Sequence, residues 1–197
     1  MKIFLNDYDY SRFQMLLYTA NSKETIRFSD IDKKDPYRVW EIERGETLVD
    51  VGAYIIMPNH FHILIRSKNE KDTALFLQRI LLSYSKYFNY KNERNGTLFQ
   101  GKSKAEHIKD DLYLRYIYTY IHLNIVKIIQ ADWKDVGIKK MEKVKEYLNK
   151  YKYSSFTDYK GIERPEGKIL NKKAFPEYFQ TVKDFEKEID DFLNYNK

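Results

Sequence analysis

The chain has 197 residues, a formal net charge of +6, a sequence pI near 9.1, and is 43% hydrophobic and 16% aromatic. That is one ordinary domain, or one domain with a C-terminal appendage, with too many apolar side chains for general disorder. It has no cysteine, which excludes a disulfide framework, a thiolate zinc site and a cysteine nucleophile.

No apolar run reaches the length of a membrane span, and acids arrive too early in MKIFLNDYDY for a signal peptide. A soluble, cytoplasmic protein with no membrane association is expected. A basic excess together with 18 tyrosines suits a polyanion, because lysines neutralise phosphate and aromatic rings stack on bases. Many cytoplasmic proteins are mildly basic, so charge alone favours nucleic acid only modestly.

In chain order, Asp7 or Asp9 is a candidate cap for a first helix running to about Ala20, with Tyr10, Phe13, Leu16 and Leu17 at helical spacing. Residues 21–44 read mostly as loop, broken by Asp35-Pro36. Thr47 to Met57 reads as a strand, Pro58-Asn59 as a bend, and His60 to Arg66 as a second strand antiparallel to the first. Asp72-Thr73 opens a second helix, with Leu75, Phe76, Ile80, Leu81, Tyr84 and Phe88 on one side and a polar end at Lys91 to Gly96. Leu98 to Ile108 holds a basic loop and then a short strand. Asp110-Asp111 cap a third helix through about Ile129; a lysine-rich helix follows from Lys139 to Tyr151, and an amphipathic one from about Glu177 to Leu193. The order suggests an α+β fold, a small antiparallel sheet packed by helices.

The second strand carries two of the four histidines, at i and i+2. Successive strand residues alternate between faces, so His60 and His62 project together while Phe61 turns the other way. Two imidazoles on one rigid strand make half of a divalent metal site. An isolated His-x-His is more often a surface pair, so the third helix matters. There Tyr113, Tyr116, Tyr120, Asn124 and Lys127 fall on one stripe, beside Ile117, Ile121, Ile125 and Ile128. A tyrosine stripe is usually core or groove wall. Asn124, one turn beyond Tyr120, offers an amide oxygen to complete the metal site. Tyr118 has its own ligand candidate one turn on, His122, pointing to nearly the opposite side. Histidine is the commoner ligand, so the residues alone favour His122 slightly, while the apolar residues flank both stripes and do not settle the choice. Either tyrosine would need help, because a phenol with a pKa of about 10 is a poor nucleophile at neutral pH. A nearby cation favours the phenolate and polarises a phosphoryl oxygen.

Met57-Pro58-Asn59-His60-Phe61-His62-Ile63-Leu64-Ile65 resembles the His-hydrophobic-His motif of the single-tyrosine HUH transposases. Leu98-Phe99-Gln100-Gly101-Lys102, Asp110-Asp111-Leu112-Tyr113, Tyr120 through Lys127, and Tyr151 through Phe156 resemble, in order and spacing, the branch associated with repetitive extragenic palindromes. The resemblance covers roughly Ile3 to Tyr159 and implies a ferredoxin-like HUH core over 1–159, with 160–197 as a helical C-terminal extension. It implies that Tyr120 is the nucleophile, that His60, His62 and Asn124 hold Mg2+ or Mn2+, and that His122 is structural. The implied substrate is single-stranded DNA with imperfect hairpins, cleaved and rejoined through a 5′-phosphotyrosine. Lys102 and Lys104 in the basic loop, and Lys127, are candidate phosphate contacts.

Two departures stand out. The family's Asn-Pro-Val is Asn124-Ile125-Val126 here, so the third helix is expected to run on past Asn124. The chain also begins at the segment matching Ile3-Phe4-Leu5, which predicts a sheet lacking its usual first strand and an uncovered edge that a second copy could pair with, as a homodimer. Two other functions compete: a non-catalytic or domesticated relative that only binds hairpin or single-stranded nucleic acid, and a metal-dependent phosphodiesterase that uses water.

Overall fold

The computed structural model describes residues 1–28, 31, 35–101 and 103–195. The fold is α+β, and among these residues the sheet has two strands, β1 (Val49–Met57) and β2 (His60–Ser67), joined by the two-residue turn Pro58-Asn59. They pair antiparallel, with Met57 opposite His60 and Ile55 opposite His62.

The alternation of side chains gives the sheet two buried faces. Val49, Val51, Tyr54 and Ile56 of β1 join one core, and Ala53, Ile55 and Met57 join another. A register shift between Val51 and Ala53 leaves Gly52 as the extra residue and resets the alternation. A side chain at Gly52 would meet the Phe175 ring at 2.9 Å, so only glycine lets that ring lie against the strand.

The first face is covered by α1 (Asp7–Thr19) and α2 (Glu70–Lys91). The α1 cap is Asn6, just ahead of the two aspartates singled out in the sequence; its side chain accepts from Asp9 N. Asp9 instead ties α1 to α2. It is fully buried and accepts from Leu5 N (2.8 Å), the Tyr87 hydroxyl (2.6 Å) and the Lys91 ammonium (2.5 Å). α2 starts two residues earlier than expected, on an Asn69 cap, and buries Phe76, Ile80, Tyr84 and Phe88 at four-residue spacing. In the stretch expected to be loop, Pro36–Glu41 form a 3-10 turn that buries Val39 and Trp40.

The second face is covered by α3 (Asp111–Leu123), with the short turns α4 (Val126–Ile129) and α5 (Trp133–Val136), then α6 (Met141–Lys150), α7 (Phe156–Tyr159) and α8 (Val182–Tyr195) around it. α3 packs on both strands and on α8. The latter starts later than Glu177, at a reciprocal cap in which Thr181 N donates to Asp184 Oδ2 (2.8 Å) and Asp184 N to Thr181 Oγ (3.2 Å). Its Phe185, Ile189 and Leu193 enter the same core as Tyr118, Leu123 and Phe156, so residues on both sides of position 159 share one apolar interior. At about 1.5–3 kcal/mol per fully buried large apolar side chain, α8 contributes substantially to that interior.

Two expectations are corrected. No strand follows the basic loop: Ser103 to Asp110 is without regular structure and mostly exposed, because its alternation presents too few apolar side chains to repay pairing. α3 also stops at Leu123 despite the absent proline. The Asn124 side chain donates to the Tyr120 carbonyl (3.4 Å), the acceptor that a continuing helix would give to the Asn124 backbone, and Asn124 N turns to Ile121 O instead.

The free edge of β1 is not open. The segment Tyr153 to Ser155 runs along it, with Ile56 N donating to Tyr153 O (2.9 Å), Ser155 N to Tyr54 O (3.0 Å) and Tyr54 N to Ser155 Oγ (2.9 Å). Arg164 holds this segment from outside, donating to the carbonyls of Lys152 and Ser154 while paired with Asp158. Among the described residues, the edge without backbone partners belongs to β2. Among the described residues, no helix is long and apolar enough to cross a membrane.

Candidate active site

The hairpin turn between the strands is clamped before any chemistry is considered. Ile3 N and Phe4 N both donate to Pro58 O, and the Tyr84 hydroxyl donates to Ile3 O. The N-terminal segment therefore fixes the turn on which His60 stands. His60 and His62 do share a face, with ring centroids 5.0 Å apart and nearly perpendicular. They lie on the side of the sheet covered by α3. Phe61 points the other way, its ring 4.8 Å from Phe13.

Tyr120 meets them. Its ring lies 5.8 Å from that of His62, edge to face. Tyr116 sits 5.9 Å from Tyr120, and Tyr113 stacks 5.8 Å from Tyr116, so the stripe expected on this helix is a ladder of rings ending at the imidazole pair. Phe192 of α8 packs 5.6 Å from Tyr116 and walls the ladder on one side.

The rival pair turns away. Tyr118 is buried among Tyr159, Phe175, Tyr178 and Phe179. His122 is fully buried, 2.7 Å from Ser155 Oγ, with the rings of Tyr159 and Phe185 at 5.3 and 5.4 Å. Burial first, and the nearby Lys172 charge second, push its pKa down to about 3. His122 is therefore neutral in the native protein and acts as a seat between α3 and the segment covering β1.

The imidazoles on β2 are also held neutral at pH 7. Burial and then the Lys127 charge lower His60; burial, the His60 charge and then Lys127 bring His62 down to about 4. Neutral imidazole is the form that binds a metal. His60 Nδ1 lies 2.8 Å from Asn59 Oδ1; with Nδ1–H donating there, Nε2 keeps its lone pair for a ligand. Asn124 is buried and uses its amide nitrogen on the Tyr120 carbonyl, so Oδ1 is the atom it could offer to a cation. Among the described residues no group of three or more His, Cys, Asp or Glu side chains gathers to hold an ion. The structure brings two imidazoles together, and any cation there would need further donors such as an amide oxygen, water or a phosphate oxygen. Mg2+ and Mn2+ favour oxygen ligands, so two imidazoles alone would hold either ion weakly without added oxygen donors.

Of the expected phosphate contacts, Lys127 is exposed on α4 and its charge reaches both imidazoles. Lys104 is exposed, and nothing in the structure joins it to the imidazoles. Lys102 lies outside the described residues.

One residue escaped the sequence reading. Lys134, on α5, holds its ammonium 4.6 Å from the centre of the Tyr120 ring. The neighbouring Trp133 is buried in the second core and anchors this turn. Nothing in the sequence spacing links position 134 to position 120; a lysine beside a buried tryptophan was the only available signal.

Comparison of the chain with protein-family models, with curated proteins and with solved structures gave no match.

Proposed function

We propose that the protein is a metal-dependent DNA-strand transesterase of the HUH type, working in the cytoplasm on single-stranded DNA that carries imperfect hairpins, from a ferredoxin-like core reduced to two strands. The observation that carries this reading is the meeting of the Tyr120 ring with His62 at 5.8 Å while Tyr118 turns into the core.

In this reading Tyr120 Oη attacks a backbone phosphorus, the new O–P bond forms as the bond to the 3′ oxygen breaks, and the phenolic proton leaves to solvent while the 3′ oxygen is protonated. The products are a 5′-phosphotyrosine and a free 3′-hydroxyl, and attack by a 3′-hydroxyl reverses the step. His60, His62 and Asn124 would hold Mg2+ or Mn2+, which supplies charge stabilisation at the phosphoryl oxygens. Lys127 supplies positive charge beside the imidazoles, and Lys102 and Lys104 of the basic loop are the proposed phosphate contacts. A second copy, where it binds, pairs along β2, because the β1 edge is occupied.

The test is a denaturant-resistant protein–DNA adduct on hairpin-bearing single strands with Mn2+. It is expected for the wild type and absent in Tyr120→Phe. An adduct that survives in Tyr120→Phe but is lost in Tyr118→Phe overturns the assignment. Hairpin binding that is indifferent to metal and yields no adduct identifies a non-catalytic binder. Strand cleavage that leaves no protein on the DNA identifies a phosphodiesterase using water.

A further inference from the structure

Lys134 and Lys127 bring two positive charges to the corner of Tyr120, and among the described residues neither has a carboxylate within 4 Å. Several other lysines of this half of the chain are paired instead. Lys139 pairs with Asp132 at 3.5 Å, Lys145 with Asp190 at 2.8 Å, Lys150 with Glu146 at 2.6 Å and Lys160 with Glu186 at 2.9 Å. Lys134 is half-buried over a ring, a position that strips an ammonium of part of its hydration without supplying a counter-charge. Burial, together with Lys127, disfavours its charge, and only Tyr120 supports it.

The placement is built rather than incidental. Trp133 fills the core beneath α5, and Val136 N and Asp135 N both donate to Asp132 O. Gln130 closes the loop behind it, donating to Gly137 O (2.7 Å) and accepting from Lys139 N (3.0 Å). A long flexible side chain is thereby aimed at one tyrosine by a well-tied turn. Two like charges converging without a carboxylate are stabilised by an anion, and a phosphate facing the Tyr120 ring would bring one within reach of the ammonium held over that ring.

We infer that Lys134 and Lys127 form an oxyanion subsite for the phosphate facing Tyr120, so that this corner binds the backbone of a nucleic-acid strand independently of its bases. The inference takes from the proposed function only that Tyr120 faces the phosphate. Lys134 is then a positioning residue, which orients a phosphoryl group against the ring.

The test is binding of an oligo-dT strand in EDTA over a series of KCl concentrations, which needs neither metal nor catalysis. Each phosphate contact on a single strand contributes about 0.7 to the slope of log affinity against log salt. Lys134→Met and Lys127→Met are each expected to flatten the slope by about that amount, while Lys134→Arg restores it. Lys145→Met, which removes an ammonium paired with Asp190, is expected to leave the slope as in the wild type. A merely structural Lys134 would alter stability without changing the slope, so an unchanged slope in a folded Lys134→Met overturns the subsite. A flattened slope in a protein that never forms a Tyr120 adduct keeps the subsite and removes the transesterase. A wild type that shows no salt-dependent binding removes both.

Discussion

The two sides of α3 carry almost the same residues and do opposite things. One side offers Tyr118 and His122, the other Tyr120 and Asn124, each pair a tyrosine followed one turn later by a possible ligand. The Tyr118 side is sealed by Tyr159, Phe175, Phe179 and Phe185, and its histidine spends its hydrogen bond on Ser155. The Tyr120 side faces two imidazoles and an unpaired lysine. The better ligand, histidine, sits on the inert side. What separates the tyrosine that meets the imidazoles from the packed one here is not its chemistry or that of its neighbour on the helix, but which surface the rest of the chain leaves uncovered.

The sharpest way to break the comparison is to remove one hydroxyl from each side. Tyr120→Phe is expected to lower adduct formation by at least about a thousandfold, as loss of a covalent nucleophile does. Tyr118→Phe is expected to leave adduct formation within a fewfold of the wild type. Gel quantification of the adduct in single turnover measures both, and equal losses would mean that the two sides are not distinct.

The histidines give the next largest effect, with the sign exchanged between stability and metal binding. His122→Ala removes a fully buried ring and the bond that ties α3 to the segment along β1; a loss of about 2–4 kcal/mol is expected in denaturant unfolding. His60→Ala, at a surface position of β2 where the ring is only partly shielded, is expected to change stability by less than about 1 kcal/mol yet abolish Mn2+ binding measured by calorimetry with a hairpin-bearing single strand present. If His122→Ala weakens Mn2+ binding as much as His60→Ala does, the division between the sides fails.

Acid should expose the same division. The native His122 pKa is near 3, below the ordinary histidine value, so the unfolded chain binds a proton that the native protein refuses. Stability is then lost as pH falls from about 6.5 toward 3, and is flat with respect to this group below that range. At about pH 5 the expected loss from His122 is roughly 2 kcal/mol relative to neutral pH. His62 adds a smaller loss over a shorter range, since it is partly exposed and drops only to about 4. Asp9 titrates lower: burial pushes it up, but the bonds from Lys91, Tyr87 and Leu5 N outweigh burial and leave its pKa below the ordinary carboxylate value. Its contribution is present above that ordinary value and is lost as pH falls through the depressed one. Unfolding free energy measured between pH 7 and pH 4 in His122→Asn should fall less steeply than in the wild type; an equal slope would place the linkage elsewhere.

Much of this was legible from residue spacing. The period of two put His60 and His62 on one face of a hairpin, and the period of 3.6 put Tyr113, Tyr116, Tyr120 and Asn124 on one stripe. Spacing could not say which stripe meets the imidazoles, because Ile117 and Ile121 flank both, and the choice is made by Tyr159, Phe179 and Phe185, remote in sequence. The cover over β1 was illegible for a related reason: Tyr153 to Ser155 pairs through side-chain and single backbone bonds, without the alternation that marks a strand. The strand expected after Lys104 failed because its residues have no apolar face to bury. Lys134 was hidden because a charged residue on a one-turn helix carries no periodicity.

The smallest expected effect tests how the tail holds the inert side shut. Gly52 is the extra residue in β1, and a Cβ there would lie 2.9 Å from Phe175 Cζ and 3.0 Å from Cε1 and Cε2. Phe175 in turn packs 6.3 Å from Tyr118, and the Tyr159 hydroxyl donates to Gly52 O (2.8 Å), so the glycine lies beneath the lid over the sealed tyrosine. Gly52→Ala is expected to cost about 1–3 kcal/mol by pushing that ring outward, the usual price of overpacking. In Phe175→Leu the obstacle is smaller, so adding Gly52→Ala to it should cost less than the single change costs, and a double-mutant cycle of unfolding free energies measures the difference. Additive costs would show that the glycine serves the bulge's backbone and not the ring. Metal binding at His60 and His62 should be unaffected throughout, since the ring and the imidazoles are divided by α3 itself.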